Sequence, residues 1–324
     1  MNLAIIGAGG IAEKMALTVN KMNDVTCFAI ASRDIKKAEE FAGKFGFKKA
    51  YGSYEELVND NEIDLVYIAT PHSHHYQHIK LCLENGRNVL CEKAFTANAR
   101  QAKEVIELAH EKKCLLTEAI WTRYMPSAVM INEILGSGII GAPSSLTANI
   151  GYPIADKPRL AQPSLAGGAL LDIGIYPINF AFMVFGTDIK NVVSTAVITP
   201  AGVDNKNSIT ITYNDGRQAV LHSNACARTD RRGVIYASKG YMEIDNINNC
   251  RTISLYSNDG ELTGEYTVPP QISGYEYEVL SCMKAISEGR IECPEMTHDK
   301  TIFVMEFMDK LRYEWGVRYP FDQN

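Results

Sequence analysis

The 324-residue sequence lacks most of the features that would assign it to a class at a glance. No stretch reaches the ~18 consecutive apolar residues of a membrane span. The N-terminus, MNLAIIGAGGIAEK, has no basic segment before its apolar run, so no secretion signal is expected. Positive charge is not in surplus: 32 Lys and Arg stand against 38 Asp and Glu, for a net charge of −6. A general nucleic-acid or anionic-membrane partner is therefore not expected. The eight cysteines form no Cys-x-x-Cys pair. Reduced, packed thiols in a cytoplasmic protein are the expectation. Repeats and low-complexity tracts are missing, and 46% hydrophobic residues is too many for disorder. What is left is a globular chain of about two domains, at roughly 150 residues each.

Apolar runs at 2–6, 25–31, 65–69, 88–91 and 115–119 read as buried strands. Helical spacing separates them at 10–22, 34–45, 54–59, 73–85 and 98–112, with Asp34 and Asn98 as caps. Continuous apolar strands alternating with helices imply a parallel sheet covered on both faces. The crossover rule makes it doubly wound. The pattern changes after Trp121, and from Ser144 onward strands follow strands. Runs 208–213 and 218–223 are joined by Asn214-Asp215-Gly216, and 251–257 leads into Asn258-Asp259-Gly260. Asp-Gly between alternating runs signals a hairpin. The fold class expected is α/β: a Rossmann domain over 1–121, then an α+β domain over 122–324 with a large open, mainly antiparallel sheet. An apolar helix at 167–185 and two more near 275–288 and 298–315 complete it, the last of which could pack back on the first domain. The sheet's second face must meet water or another subunit, so a homodimer or a dimer of dimers is expected.

Gly7-Ala8-Gly9-Gly10-Ile11-Ala12 sits between a strand and a helix and fits G-x-G-x-x-A. Gly7 permits the turn, Gly9 lets a pyrophosphate approach the backbone, and Ala12 keeps the helix near the strand. The helix N-terminus adds N–H groups and a positive dipole end. A glycine-rich turn without ligand is the plain alternative. After the second strand stand Ser32 and Arg33, with Lys37 nearby. A hydroxyl and cations suit a 2′-phosphate, so NADP(H) is expected over NAD(H). The alternative has Asp34 turned inward.

Thr70-Pro71 opens a segment with His72, His74, His75 and His78. His74 and His78 share a helix face, as zinc ligands can. No HExxH glutamate or nearby cysteine accompanies them, so no metal is expected. His75 is expected to line the crevice, with His72 and His74 exposed. Glu92 and Lys93 follow the fourth strand, where the amine can reach a ribose or substrate oxygen. Trp121 and Arg123 end the fifth strand and are candidates to contact substrate. A Trp that only packs between the halves is the alternative. Asp172 and Tyr176, four apart, share one face of the apolar helix. A phenol, with a free pKa of about 10, acts as general acid when a cation favours its ionised form. An ordinary core Tyr bonded to Asp172 is equally compatible with the sequence.

GAGGIA, ATPHSHH, CEKA and the switch from an α/β to a sheet-rich half resemble the Gfo/Idh/MocA oxidoreductases. EAIWTRYMP and GGALLDIGIYPINF resemble its branch of dimeric dihydrodiol dehydrogenases and NADP-dependent D-xylose 1-dehydrogenases. The resemblance implies hydride transfer to or from a sugar- or diol-like alcohol, with dimerisation through the open sheet. It implies Tyr176 as acid/base, with Lys93 and Asp172 assisting. The family's Glu-Lys-Pro becomes Glu92-Lys93-Ala94, without the proline, and its asparagine after Thr-Pro becomes His72. The competing class is a non-catalytic NADP-binding redox sensor or scaffold, which needs no proton donor.

Overall fold

The computed structural model describes residues 1–323. The chain divides into two compact units: Met1–Trp121 with Gln271–Glu306, and Thr122–Pro270 with the chain from Phe307 onward. In the first stretch β1 (Asn2–Ile6), α1 (Gly10–Val19), β2 (Thr26–Ala31), α2 (Ile35–Phe45), β3 (Lys49–Tyr51), α3 (Tyr54–Val58), β4 (Leu65–Ile68), α4 (His72–Glu84), β5 (Asn88–Glu92), α5 (Ala99–Lys112) and β6 (Leu116–Ala119) alternate. The sheet order is β3-β2-β1-β4-β5-β6, and every pairing is parallel. Leu3 to Ile6, Leu65 to Ile68 and Val89 to Cys91 are fully buried, as strands covered on both faces must be. The order reverses between β1 and β4, and ligands of doubly wound sheets bind at the carboxyl ends of the strands at such a switch point.

The second unit holds α6 (Pro126–Ser137), β7 (Pro143–Gly151), α7 (Pro158–Ala161), a π-helical turn at Leu170–Gly174, α8 (Ile175–Phe185), and β8 (Ile189–Ile198). Next come β9 (Asp204–Tyr213), β10 (Gln218–Asn224), β11 (Gly233–Ala237), β12 (Gly240–Ile244), β13 (Thr252–Ser257) and β14 (Leu262–Thr267). The eight strands are ordered β14-β13-β12-β11-β7-β10-β9-β8. Among the described residues of this sheet, only β7 and β10 pair in parallel. One face buries Leu146, Ala148, Ile150, Ile209, Ile211, Ala219 and Leu221. Segment Pro163–Phe185 is long and apolar enough to cross a bilayer, a length the sequence reading did not credit to any segment. Its most apolar window is 89% buried, which is how a core helix behaves.

Three elements depart from the sequence reading. The short strand β3 and helix α6 carry no clear periodic signal. The domain assigned to 122–324 is interrupted, because α9 (Glu276–Ser287) and the start of α10 (His298–Glu314) belong to the first unit. The physical reason lies at the sheet edge. The β6 residue Leu116 donates to the Ile291 carbonyl (3.0 Å), and its own carbonyl meets His298 Nε2 (2.9 Å). The returning segment thus covers an edge strand that would otherwise expose unpaired backbone groups.

Candidate active site

The β1–α1 turn has the geometry of a dinucleotide cradle. Gly7 has φ +98°, and a Cβ there would lie 2.9 Å from Thr70 Cγ2, so only glycine fits. At Gly9 and Gly10 an added Cβ would meet nothing within 4 Å, which leaves room for a ligand against the backbone. Gly9 is the N-cap of α1 and no side chain caps the helix. The first helical bond runs from Glu13 N–H to the Gly9 carbonyl (3.0 Å), so the N–H groups before it are available to an anion. Ala12 is fully buried beneath the turn, while Ala8 and Ile11 are half-buried. These residues fit a pyrophosphate.

The end of β2 decides between ribose and phosphate. Asp34 is the N-cap of α2, accepting from Lys36 N–H (3.0 Å). It is exposed, and does not turn inward. Ser32 is buried and its Oγ accepts from Asp34 N–H (3.3 Å). Arg33 is exposed, as is Lys37. Burial pushes the Tyr54 hydroxyl up, while the nearby Arg33 guanidinium pulls it the other way. Arg33 also helps hold His74 and His78 neutral, after burial itself. The carboxylate of this region is committed to a helix cap, and the basic group beside it is outward.

The histidine segment is built differently from the expectation. Pro71 is the N-cap of α4. His75 is completely buried, where a lining residue would be open. Its Nδ1 lies 2.9 Å from the Ala94 carbonyl and 3.2 Å from that of Phe95. Its Nε2 lies 2.7 Å from the Thr70 carbonyl. Burial pushes its pKa down to about 4, although the three carbonyls pull the other way. The ring therefore ties the loop after β4 to the loop after β5. His72 is buried rather than exposed, and so is His78, which shares a hydrogen bond with Thr70 Oγ1 (2.9 Å). His74 is half-buried. Among the described residues no group of three or more His, Cys, Asp or Glu is arranged to hold a metal.

Glu92 is buried. It accepts a short hydrogen bond from the Tyr67 hydroxyl on β4 and one from Lys93 N–H (3.3 Å). Burial, then the Glu92 charge, holds the Tyr67 phenol protonated. Lys93 is half-buried, and its peptide bond to Ala94 is cis, at the position of the family's proline. Trp121 is buried and stacks on Tyr275 (4.4 Å, 9°) in the same unit.

In the second unit, Arg123 Nε donates to Asn179 Oδ1 (2.6 Å) on α8, so the guanidinium is tied to that helix. Asp172 and Tyr176 are both buried. Asp172 lies in the π-helical turn and Tyr176 in the first turn of α8. The wider π turn brings residues four apart closer to alignment than an α-helix does, and such turns recur at functional sites. Asp172 also has a partner that the sequence reading missed: Arg159 on α7, whose Nε and Nη2 each lie 3.3 Å from a carboxylate oxygen. No local signal marks Arg159, which precedes Asp172 by thirteen residues in an irregular stretch. Tyr67 was hidden inside an apolar run in the same way.

A glycine cradle at a parallel-sheet switch point, with basic residues after β2, defines a Rossmann-fold dinucleotide-binding protein. The relatives agree and narrow the class. Residues 1–120 match the sequence profile described as an oxidoreductase family with an NAD-binding Rossmann fold, and 129–243 match the GFO/IDH/MocA C-terminal domain. The chain belongs to the Gfo/Idh/MocA oxidoreductase family, as its motifs indicated. It is 33% identical to trans-1,2-dihydrobenzene-1,2-diol dehydrogenase of Xenopus tropicalis, over 98% of each chain. It is also 33% identical to D-xylose 1-dehydrogenase (NADP(+)) of Hypocrea jecorina, over 98% of this chain and 92% of that one. A 3-ketoreductase from Actinomadura kijaniata, solved with NADP and TDP-benzene, superposes with a TM-score of 0.88 at 23% identity, over 98% of each chain.

Proposed function

We propose that the protein is an NADP(H)-dependent oxidoreductase acting between a sugar- or diol-like alcohol and its carbonyl. The observation that carries this reading is the Gly7–Ala12 cradle beside an outward Arg33 and a helix-capping Asp34. Relatives named for a dihydrodiol and for D-xylose with NADP(+) support it. Gly7 to Ala12 hold the pyrophosphate, and Ser32, Arg33 and Lys37 hold the 2′-phosphate. Thr70, Pro71, Glu92 and Lys93 line the cofactor's path, with His75 fixing the two loops from beneath.

The nicotinamide supplies or accepts the hydride. Tyr176 Oη gives the proton to the carbonyl oxygen in reduction and takes it from the hydroxyl in oxidation. Lys93 is the cation assigned to favour the phenolate that Tyr176 becomes. Asp172, paired with Arg159, holds the Tyr176 helix face in place. Trp121 and Arg123 act from behind, through Tyr275 and Asn179. The protein is read as cytoplasmic, where its eight free thiols, seven of them buried, stay reduced. A second copy covers the outer face of the eight-stranded sheet.

The test is an absorbance screen at the NADPH band against sugars, diols and dicarbonyls, run with both cofactors. Tyr176→Phe and Lys93→Met are each expected to lower kcat by about 10²-fold or more while NADPH Kd stays within about threefold. Near-normal turnover in both variants removes the assignment. NADPH binding with no turnover of any compound favours a sensor or scaffold.

A further inference from the structure

The chain after α10 folds back on the second unit and is held there by a buried charge cluster. Arg312, near the end of α10, is 1% exposed. Its Nη1 and Nη2 fork the Asp322 carboxylate at 2.6 and 3.0 Å. Nη2 also donates to Asp309 Oδ1 (2.7 Å). Asp322 Oδ2 accepts in turn from Tyr319 N–H (2.7 Å). The guanidinium lies over the Tyr319 ring, 4.2 Å from its centroid. A planar fork on a carboxylate fixes direction as well as distance. Tyr319 is thus held by its backbone and by its ring at once.

The phenol so aimed reaches a distant part of the chain. Tyr319 Oη donates to the Gly167 carbonyl (2.5 Å), 152 residues away in sequence. Burial pushes the Tyr319 hydroxyl up, so it stays protonated and remains a donor. Gly167 is itself tightly placed. Its N–H donates to the Gln162 carbonyl (3.1 Å), and a Cβ there would stand 2.6 Å from the Leu160 oxygen. The next residue, Gly168, donates to the Leu160 carbonyl (2.9 Å) and accepts from Asp172 N–H (3.4 Å). The hydroxyl therefore grips the peptide beside the one that bonds Asp172. A single π turn is a rare conformation, and here groups outside it fix where it begins. We propose that Tyr319 is a positioning residue. Its hydroxyl, aimed by Arg312 and Asp322, sets the entry to the π-helical turn and so the direction in which Asp172 and Tyr176 face. This rests on the reading of Tyr176 as the acid/base.

Tyr319→Phe tests this, because it removes one oxygen and keeps the ring under Arg312. Hydrogen exchange of the full chain, read by mass spectrometry, needs no substrate. The variant is expected to exchange about tenfold faster over 169–176, with 207–211 in β9 of the same unit within about twofold. Ser194→Ala is the control. It removes the acceptor of the Trp315 indole N–H (2.9 Å), and is expected to leave exchange over 169–176 and kcat within about twofold of the parent. With the compound that the absorbance screen turns over fastest, Tyr319→Phe is expected to lower kcat about tenfold, with KM and NADPH Kd within about twofold. In a Tyr176→Phe background the same change is expected to alter kcat by less than about twofold, since a proton donor already removed cannot be misplaced. If Tyr319→Phe does not fold, Asp322→Asn takes its place. It keeps an acceptor for Tyr319 N–H, weakens the fork, and is expected to give the same pattern at about threefold. Unchanged exchange over 169–176, a rise spread equally through the unit, or an equal loss of kcat in both backgrounds overturns the proposal. If Tyr176→Phe turns over normally, or the parent turns over nothing, the catalytic reading fails and exchange alone decides whether Tyr319 sets the turn. If Tyr176→Phe loses turnover while Tyr319→Phe changes neither exchange nor kcat, the catalytic reading stands and this one fails.

Discussion

The choice of phosphate over free ribose falls to single side chains after β2. A carboxylate at this position would accept from a ribose hydroxyl and repel a 2′-phosphate. Here Asp34 is occupied with Lys36 N–H, and capping Asp residues each stabilise their helix by about 1 kcal/mol. Arg33 is outward, beside Tyr54. A guanidinium–phosphate bond contributes on the order of 1.5–3 kcal/mol. Arg33→Ala is therefore expected to weaken NADPH binding by about 10- to 100-fold and to leave NADH within about twofold, measured by quenching titrations with both cofactors. An equal effect on the two would place Arg33 outside the phosphate site. His75 teaches a different lesson at the same scale. Its position beside Thr70-Pro71 made it look like a lining residue. A wholly buried ring facing three carbonyls supports the loops that bear Thr70 and Lys93 from behind. Sequence position places the ring beside the loop after β4 but not which way it points, because the Ala94 and Phe95 carbonyls come from about twenty residues away.

Among elements, the π-helical turn before α8 depends on a carboxyl group outside it. Asp204 Oδ2 accepts from Leu170 N–H (3.0 Å) and from Asn207 Nδ2 (2.8 Å). Burial raises the Asp204 pKa from 3.8 to about 6, against the pull of those hydrogen bonds. The sign follows directly. A carboxyl with a folded pKa above its unfolded value binds its proton more tightly when folded, so stability is greatest below the unfolded pKa. It is lost as pH rises through the folded one. The window is pH 3.8 to about 6, and the loss is about 3 kcal/mol at most. Asp204→Asn keeps an acceptor for Leu170 N–H and removes the titration. The stability of the variant relative to the parent is expected to rise between pH 4 and pH 7 in paired urea melts. A constant difference would show that folding does not raise the Asp204 pKa. Legibility at this scale followed sequence distance. Strands β1, β4 and β5 were visible because both faces are buried and the apolar run is continuous. The β9–β10 hairpin was visible from Asn214-Asp215-Gly216. Three-residue β3, the return of 271–306 to the edge of β6, and the α7 clasp on Asp172 were not. Each is fixed by a partner remote in sequence, and none leaves a period.

For the whole molecule, the outer face of the eight-stranded sheet is the unsettled surface. Pairing registers align Val193, Thr210, Val220, Thr147 and Val234 in one row across β8, β9, β10, β7 and β11. A second row runs through Ser145, Tyr236, Tyr241, Tyr256 and Leu262, in which Tyr241 stacks on Tyr256 (4.8 Å). Val193, Val220, Tyr236 and Leu262 are exposed. Neither row carries a charge across these strands, and ions enter the first row only beyond Val234, at Glu243. Exposed apolar patches are in general where proteins associate, and these rows are what the proposed second copy would cover. A two-fold axis through the face lets each row meet its own copy, which is the commonest closed symmetry. Sedimentation at micromolar concentration is expected to give a dimer. Val220→Glu is expected to give a monomer with a melting temperature within a few degrees of the parent's, since the position is solvent-facing in the single chain. Like charges facing across the axis supply the repulsion. A monomer in the parent at every concentration would assign the face to water, and the Thr and Tyr hydroxyls would then be what keeps it soluble.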